Sequence, residues 1–533
     1  MISTLLDISG PTGGNGGTIE FPSVGTFQFS GGPIVIGVDL STTTQPYAII
    51  IQGDGQGSEG MPLIQKTDAG DLFQVSNTTT SDQHVGGITF RDLQIDYSNE
   101  LTSGAAIHVL HGENVRVFRC VFQDCPNALL LEDTLQCNMI DCTVIYPNNP
   151  AIAAVQIGAG SITAKETFIA GTTLLSDNNP NGVGILVENA DQIRVANTRI
   201  EGFQQGILIQ PGGMNNNVRR AYFGNVSCYP NSEVSTVGAA VLIQPTDGTW
   251  VAQVWFEACQ LGPPKEGTEY LGAGVVIDPL NGSGGGGNVD QVRLIGCHVC
   301  QWNGPGLELI GAGTSGTQTP SNIEVVGGYY SLNGSNPGSG LPSAGIALVG
   351  GTNGPYGVRV VGAACNNSVF FSGGSGGVFL TPTQDYGISI ASATQTNLFV
   401  HDCDLTGNLS APISTSGSLT TLHVANCAGY NDQGVAVHSV VPTSATTFFS
   451  YSFTTPYYGP VEFYVSGVSG AISQISVDGH ATPLKSGSFY LAPGESGQIN
   501  LVRNEYPDLP NDWEITQLSR RSAPLARTVA VGW

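Results

Sequence analysis

Three features of the sequence predict an all-β fold, a long parallel β-helix followed by a small antiparallel β-sandwich. First, a phrase with apolar residues at alternate positions and a cysteine in a fixed slot keeps returning: "VRVFRCVF", "NMIDCTV", "QVWFEACQL", "QVRLIGCHV", "NLFVHDCDL" and "TLHVANCAG". Cys120, Cys142, Cys259, Cys297, Cys403 and Cys427, six of the eleven cysteines, occupy that slot. Second, an apolar phrase usually opened by glycine precedes each one, as in "GAAIHVL", "GVGILVEN", "QGILIQP", "GAAVLIQP" and "GAGVVIDP". Third, no helical pattern of about 10–15 residues separates the two phrases, which argues against βαβ units. Both phrases therefore read as strands of a coil that stacks on copies of itself.

Taken in order, residues 1–17 read as an N-terminal cap segment, and "MISTLLDISGPTGG" lacks the basic flank and apolar core of a signal peptide. Residues 18–437 are the solenoid. With the cysteine slot as zero, apolar residues fall at −5, −3 and +2, as Val115, Val117 and Phe122 do around Cys120. The frame also puts Thr167, Thr198, Gly328 and Ala363 in the slot, and it fits poorly at "NNVRRAYFGN", where Arg220 would point inward. Each coil is expected to hold two short strands, with turns and a longer loop between them. The slot faces inward and stacks on itself, where a small, soft, weakly polar side chain packs well.

Cysteines on adjacent rungs would have parallel Cβ vectors about 4.8 Å apart, slightly too far for a relaxed disulfide. Cys297-x-x-Cys300 has no companion pair to complete a zinc site, and His401, Asp402, Asp404 and His423 read as surface residues. Free thiols, no metal and no cofactor are expected. Residues 438–519 alternate at hairpin spacing, in "TTFFSYSFTTPYYGPVEFYVSG" and "SGSFYLAPGESGQINLV", and read as the sandwich. Residues 520–533 read as an extended basic-apolar tail.

Composition narrows the function classes. The net charge is −24 with four lysines among 533 residues, a surface that repels phosphate backbones, so no nucleic-acid partner is expected. No apolar run is long enough to cross a membrane as a helix, so no membrane insertion is expected.

The opening "GGTIEFPSVGTFQFSGGPIVIG" and the later "YAIIIQGDGQGS" resemble the first coils of the pectate-lyase superfamily, found in bacteriophage tailspikes and polysaccharide-degrading enzymes. With the rungs, the resemblance covers about residues 15 to 435. It implies a right-handed, single-stranded parallel β-helix. Residues 438–519 resemble the module that follows β-helices in tail proteins of phages infecting actinobacteria. The sequence departs from the pectin hydrolases, whose Asn-Thr-Asp, Asp-Asp, Gly-His-Gly and Arg-x-Lys signatures it lacks. Its few lysines also disfavour pectate-lyase chemistry.

Three outward rows could carry function. In the upstream strands, Leu130, Leu186, Leu208, Leu242 and Val276, interrupted by Gln156 and followed by Glu308, form an apolar row. Loops of the same chain could cover it, but packing of three β-helices along it, as in tailspike trimers, is the favoured reading. One step later, Glu132, Gly158, Glu188, Gln210, Gln244 and Asp278 form either an amide ladder or a substrate-binding row. In the cysteine strands, the −4 slots read Arg116, Asn138, Thr163, Arg194, Arg219, Trp255, Arg293, Glu324 and Arg359. Beside them the −1 slots read Asp92, Arg119, Asp141, Glu166 and Asn197. Such a face is either a solvated charged surface or one that holds glycan by stacking and bidentate hydrogen bonds, with Arg116, Arg119, Arg194, Arg219, Trp255 and Arg293 as its candidates.

These readings combine into a homotrimeric, phage-tail-associated protein of the virion, assembled in the host cytoplasm, that contacts cell-surface polysaccharide and other tail proteins. The alternative is a glycan depolymerase, hydrolase or lyase, with Asp92, Asp141 and Glu166 as its carboxylates or with its site in an intersubunit groove.

Overall fold

The computed structural model describes residues 17–430 except 24, 38–47, 56–59, 77–83, 99–100, 146–152, 161–162, 177–181, 214–215, 231–237, 247, 263–271, 280–286, 312–317, 336–341, 351–353, 368–382, 392–396 and 416–420. Beyond 430 it describes the backbone of strands lying between 436 and 530. The expected cap, apart from Gly17, lies outside the described residues.

Residues 17–430 form a parallel β-helix. A coil near its start shows the plan: Ile107–Glu113, Arg116–Phe118 and Val121–Gln123 are its strands, and Leu129–Leu135 begins the next coil. Each strand pairs in parallel with its counterpart one coil on, so the strands stack into three faces. A coil therefore holds three strands rather than the expected two. The third is short and turns one large apolar side chain inward per rung, Phe122, Val144 and Leu174 in succession, too brief an alternation to stand out.

The faces meet at corners where the backbone is left-handed. One corner precedes the second face and another follows it five residues later: Asn114 and Arg119, Gln136 and Asp141, Glu166 and Gly171, Gln192 and Asn197, Arg220 and Asn225 all have φ between 47° and 60°. Glycine, Asn and Asp tolerate this conformation best, which accounts for their recurrence in these columns.

The slot follows the second corner, and its chemistry explains the cysteines. Cys120 Sγ donates to Phe118 O at 3.4 Å, Cys142 Sγ to Ile140 O at 3.3 Å and Cys403 Sγ to His401 O at 3.2 Å. Thr172 and Thr198 make the same bond through Oγ1 to Ala170 O and Ala196 O, at 3.2 and 3.1 Å. At these corners a small side chain with a hydrogen-bond donor thus bonds the carbonyl two residues back. All eleven cysteines are free, and all but Cys427 are buried.

The core is one continuous column of inward residues. Val117, Met139, Ile169, Val195, Phe223 and Phe256 succeed one another on the second face, with Phe223 and Phe256 stacked at 4.9 Å. Each such side chain contributes about 1.5–3 kcal/mol of burial, and the total grows with every coil. The glycines that open the first-face strands make room for the third face. A Cβ at Gly206 would lie 2.9 Å from Cys228 Sγ, and one at Gly274 would lie 2.2 Å from Val299 Cγ1.

Beyond the solenoid the pairing changes. Phe448–Thr454 pairs antiparallel with Ser496–Val502, Ile472–Val477 with the same strand, and Val461–Ser466 with Gly487–Leu491. Leu525–Ala530, in the segment expected to be an extended tail, is a strand that pairs in parallel with Val461–Ser466. Among the described residues no helix is long and apolar enough to cross a membrane.

Candidate functional site

The register corrects the composition of the second-face row. Arg116 pairs with Asn138, Asn138 with Phe168, Phe168 with Arg194, Arg194 with Tyr222, Tyr222 with Trp255, and Trp255 with Arg293. Glu324, Arg359, Phe399 and His423 continue the row. Phe168 and Tyr222 thus stand where Thr163 and Arg219 were expected. The slot in those coils is Thr172 and Val226, not Thr167 and a position near Phe223, because the left-handed corners at Gly171 and Asn225 come five residues after those at Glu166 and Arg220. Arg220 points outward with its guanidinium on Asp191, and Ala221 and Phe223 are the buried residues.

The corrected row is an aromatic and guanidinium surface. Arg194 lies 5.7 Å from the Phe168 ring and 5.6 Å from the Tyr222 ring, a cation held between two aromatic rings. Tyr222 reaches across the strand to donate to Glu257 Oε2 at 2.9 Å. Its ring passes over Gly224, where an added Cβ would lie 2.6 to 2.8 Å from the Tyr222 hydroxyl and ring carbons. On the rungs of Phe168, Arg194 and Tyr222 the neighbouring row is small, Ala170, Ala196 and Gly224, and it continues with Glu257 beside Trp255 and Ile295 beside Arg293. Trp255 stands on the next rung, followed by Arg293, whose Nε is 3.0 Å from Glu324. Arg194 and Arg293 are exposed, and Phe168, Tyr222 and Trp255 are half-buried. This is an outward strip of aromatic rings and guanidinium donors, with Tyr222 and Trp255 on successive rungs.

The other predicted site residues disperse. Arg119 forms a bidentate pair with Asp92, both contacts at 2.8 Å, at the second corner. Asp141 is exposed at the same corner one rung beyond Arg119. Glu166 lies on the opposite edge of the face, where it accepts from Gln136 Nε2 at 2.9 Å. The three carboxylates are not brought together, and the left-handed backbone at Asp92 and Asp141 is a structural reason for an aspartate there. Arg219 sits beyond the first corner with its guanidinium 5.2 Å from the Trp250 ring.

The first face carries the expected apolar row in register, Leu130, Gln156, Leu186, Leu208, Leu242, Val276 and Glu308. Leu208 and Val276 are only 8% and 9% exposed within the single chain, which leaves Leu130, Leu186 and Leu242 as its more accessible members. The amide ladder is present where Gln210 Nε2 donates to Gln244 Oε1 at 3.2 Å and Gln244 Nε2 to Asp278 Oδ2 at 3.1 Å. Burial pushes the Glu308 carboxyl up to about 7, aided by the charge of Asp278.

At its N-terminal end this face holds a network that sequence reasoning missed. His108 Nδ1 is 2.7 Å from Asp71 Oδ2, and His108 Nε2 is 3.2 Å from Glu132 Oε1, so one imidazole bridges three coils. Burial alone would lower its pKa, but hydrogen bonds to Asp71 and Glu132 and their charges outweigh it and raise it to about 9. His111 and His84 similarly flank Asp133 at 3.0 and 3.1 Å. Among the described residues no group of three or more His, Cys, Asp or Glu side chains is placed to hold a metal ion.

No protein-family model matches the sequence, and no curated protein sequence matches it. Several solved structures are similar to the chain. The A-module of the mannuronan C-5 epimerase AlgE4 from Azotobacter vinelandii is 12% identical, with a TM-score of 0.37 over 77% of this chain and 91% of that one. ORF18 of Geobacillus virus E2 is 11% identical, with a TM-score of 0.35 over 94% of this chain and 69% of that one. A DFA-IIIase from Arthrobacter chlorophenolicus A6 is 14% identical, with a TM-score of 0.43 over 74% of this chain and 90% of that one. The assignment of the chain as a parallel β-helix rests on its own strand register.

Proposed function

We propose that this chain is a phage-tail-associated β-helix protein that binds host cell-surface glycan along its second face. The observation that carries this reading is the Tyr222 ring laid over Gly224, with Arg194 on one side and Trp255 on the other. Sugar rings present flat apolar faces edged by hydroxyls. Aromatic faces on successive rungs, about 4.8 Å apart, meet the first, and guanidinium donors meet the second. The bland alternative, a solvated charged face, does not call for Phe168, Tyr222, Trp255 and Phe399, four aromatic side chains, in one outward row of a chain with only 8% aromatic residues.

Within this proposal the chain is a homotrimer associated with other tail proteins, and Leu130, Leu186 and Leu242 are the part of the apolar row still open to a partner.

The test is affinity electrophoresis through gels containing envelope polysaccharide purified from the host. The wild type should be retarded, and Tyr222→Ala and Trp255→Ala should each run freely while keeping a native far-ultraviolet spectrum. Equal retardation of wild type and both variants would contradict the assignment of the face.

A further inference from the structure

We propose that the glycan on the second face is branched, and that Arg219 and Trp250, across the first corner, form a subsite for its branch; the inference rests on the glycan reading above. Asn217–Gly224 and Trp250–Glu257 are single strands that run through that corner, in register on adjacent rungs. Each puts one outward group on either side of it. Arg219 precedes the left-handed corner residue Arg220 and Tyr222 follows it, while Trp250 precedes the left-handed Gln253 and Trp255 follows it. Arg219 and Tyr222 are three residues apart, about 10 Å along the chain, and Trp250 and Trp255 five, at most about 17 Å. The subsite therefore lies beside the strip, level with Tyr222 and Trp255, and not further along it.

Three observations make this a binding surface. Trp250 is 40% exposed, with the exposed Arg219 guanidinium 5.2 Å from its ring. Second, Arg119, Arg199, Arg220, Arg293 and Arg359 each contact a carboxylate. Among the described residues Arg194 and Arg219 contact none, in a chain with 41 acidic side chains, so both keep their N–H groups for a ligand while stacked on aromatic rings. Third, the two corners flanking the strip differ. On the rungs of Arg194, Trp255 and Arg293 the second corner carries the short residues Asn197, Ala258 and Gly296, whereas the first carries Gln192, Gln253 and Gln291. Left-handed backbone favours Gly, Asn and Asp, so it gives no reason for three glutamines. Among the described residues none of these amides bonds another side chain. Each offers two N–H donors and an acceptor oxygen between the strip and the subsite.

The position of the subsite determines the kind of glycan. A main chain stacked on Tyr222 and Trp255 follows the row from rung to rung. A linear chain on that path passes Trp250 by, because the subsite lies to its side on the same rungs. A sugar carried there as a substituent crosses the corner and reaches it. The ring of that sugar stacks on Trp250, and Arg219 and the corner amides donate to its hydroxyls.

Part of the purified host envelope polysaccharide is debranched by periodate oxidation, borohydride reduction and mild acid, and methylation analysis records its branch points before and after. Full-length wild type, Trp250→Ala, Trp250→Phe and Arg219→Ala are run in affinity gels containing either form. Wild type should be retarded by both, with an affinity about tenfold higher for the branched form. Trp250→Ala and Arg219→Ala should bind the branched form no better than the debranched one, and the debranched one as wild type does. Trp250→Phe, which keeps a ring, should retain most of the preference. Equal retardation of wild type by the two forms, a retarded polysaccharide without branch points, or an equal loss by Trp250→Ala on both forms overturns the inference and leaves the binding proposal standing. A wild type retarded by neither form overturns the binding proposal, and this inference falls with it.

Discussion

The ring of Tyr222 lies over Gly224 so closely that a single added carbon would come within 2.6 Å of the phenol oxygen. Gly224 has no left-handed backbone to explain it, so the space it leaves for the ring is the reason for its lack of a side chain. Gly224→Val should therefore lift the ring off the strip. Because the only group displaced is an outward side chain, stability should change by no more than about 1 kcal/mol. Glycan retardation should weaken several-fold. Thermal melts and affinity electrophoresis of the same preparation check both parts.

His108 makes stability depend on alkaline pH. Its folded pKa is raised from 6.5 to about 9, so the folded chain holds this proton more tightly than the unfolded one. Its contribution is complete below pH 6.5 and is lost as the pH rises through 9. With the group 13% exposed, the effect is on the order of 2 kcal/mol. The melting temperature of wild type should fall between pH 7 and pH 10 more steeply than that of His108→Asn. Parallel curves would show that the imidazole is not charged in the fold.

The slot cysteines should be replaceable by threonine but not by leucine. Thr198 already makes the corner hydrogen bond that Cys259 makes to Glu257 O at 3.5 Å, so Cys259→Thr should cost less than about 1.5 kcal/mol. Cys259→Leu overfills a site with 1% exposure and should cost about 1–3 kcal/mol. In thiol titration the native chain should react at Cys427 at most, and the denatured chain at all eleven.

The slot was legible in the sequence because its apolar partners alternate within a single strand, and Cys120, Cys142, Cys259, Cys297 and Cys403 all stand where the frame puts them. The frame slipped at Thr167 for a physical reason. Corners lie five residues apart on either side of the second face, and alternation continues through both, so two settings of the frame look alike. That slip hid Phe168 and Tyr222, and with them the aromatic row. The His108 network stayed hidden for another reason. Its partners lie 37 and 24 residues away and meet diagonally across coils, which no local pattern records.

Trimer formation makes a separate prediction. Leu186 is half-exposed, whereas Leu208 is buried within its own chain, so only the first reports on an interface without disturbing the fold. Light scattering should give the mass of three chains for wild type and one for Leu186→Asp, with melting of the solenoid little changed. A wild-type monomer would remove the trimer from the proposal.

The most direct test of the central claim is tryptophan fluorescence during titration with host envelope polysaccharide. Trp255 is one of five tryptophans and stands in the outward row beside Tyr222. Glycan stacked along the second face should change the emission of the wild type, and Trp255→Phe, which keeps an aromatic ring there, should lose most of that change while still binding. An identical emission change in Trp255→Phe would show that the glycan lies elsewhere and would contradict the account.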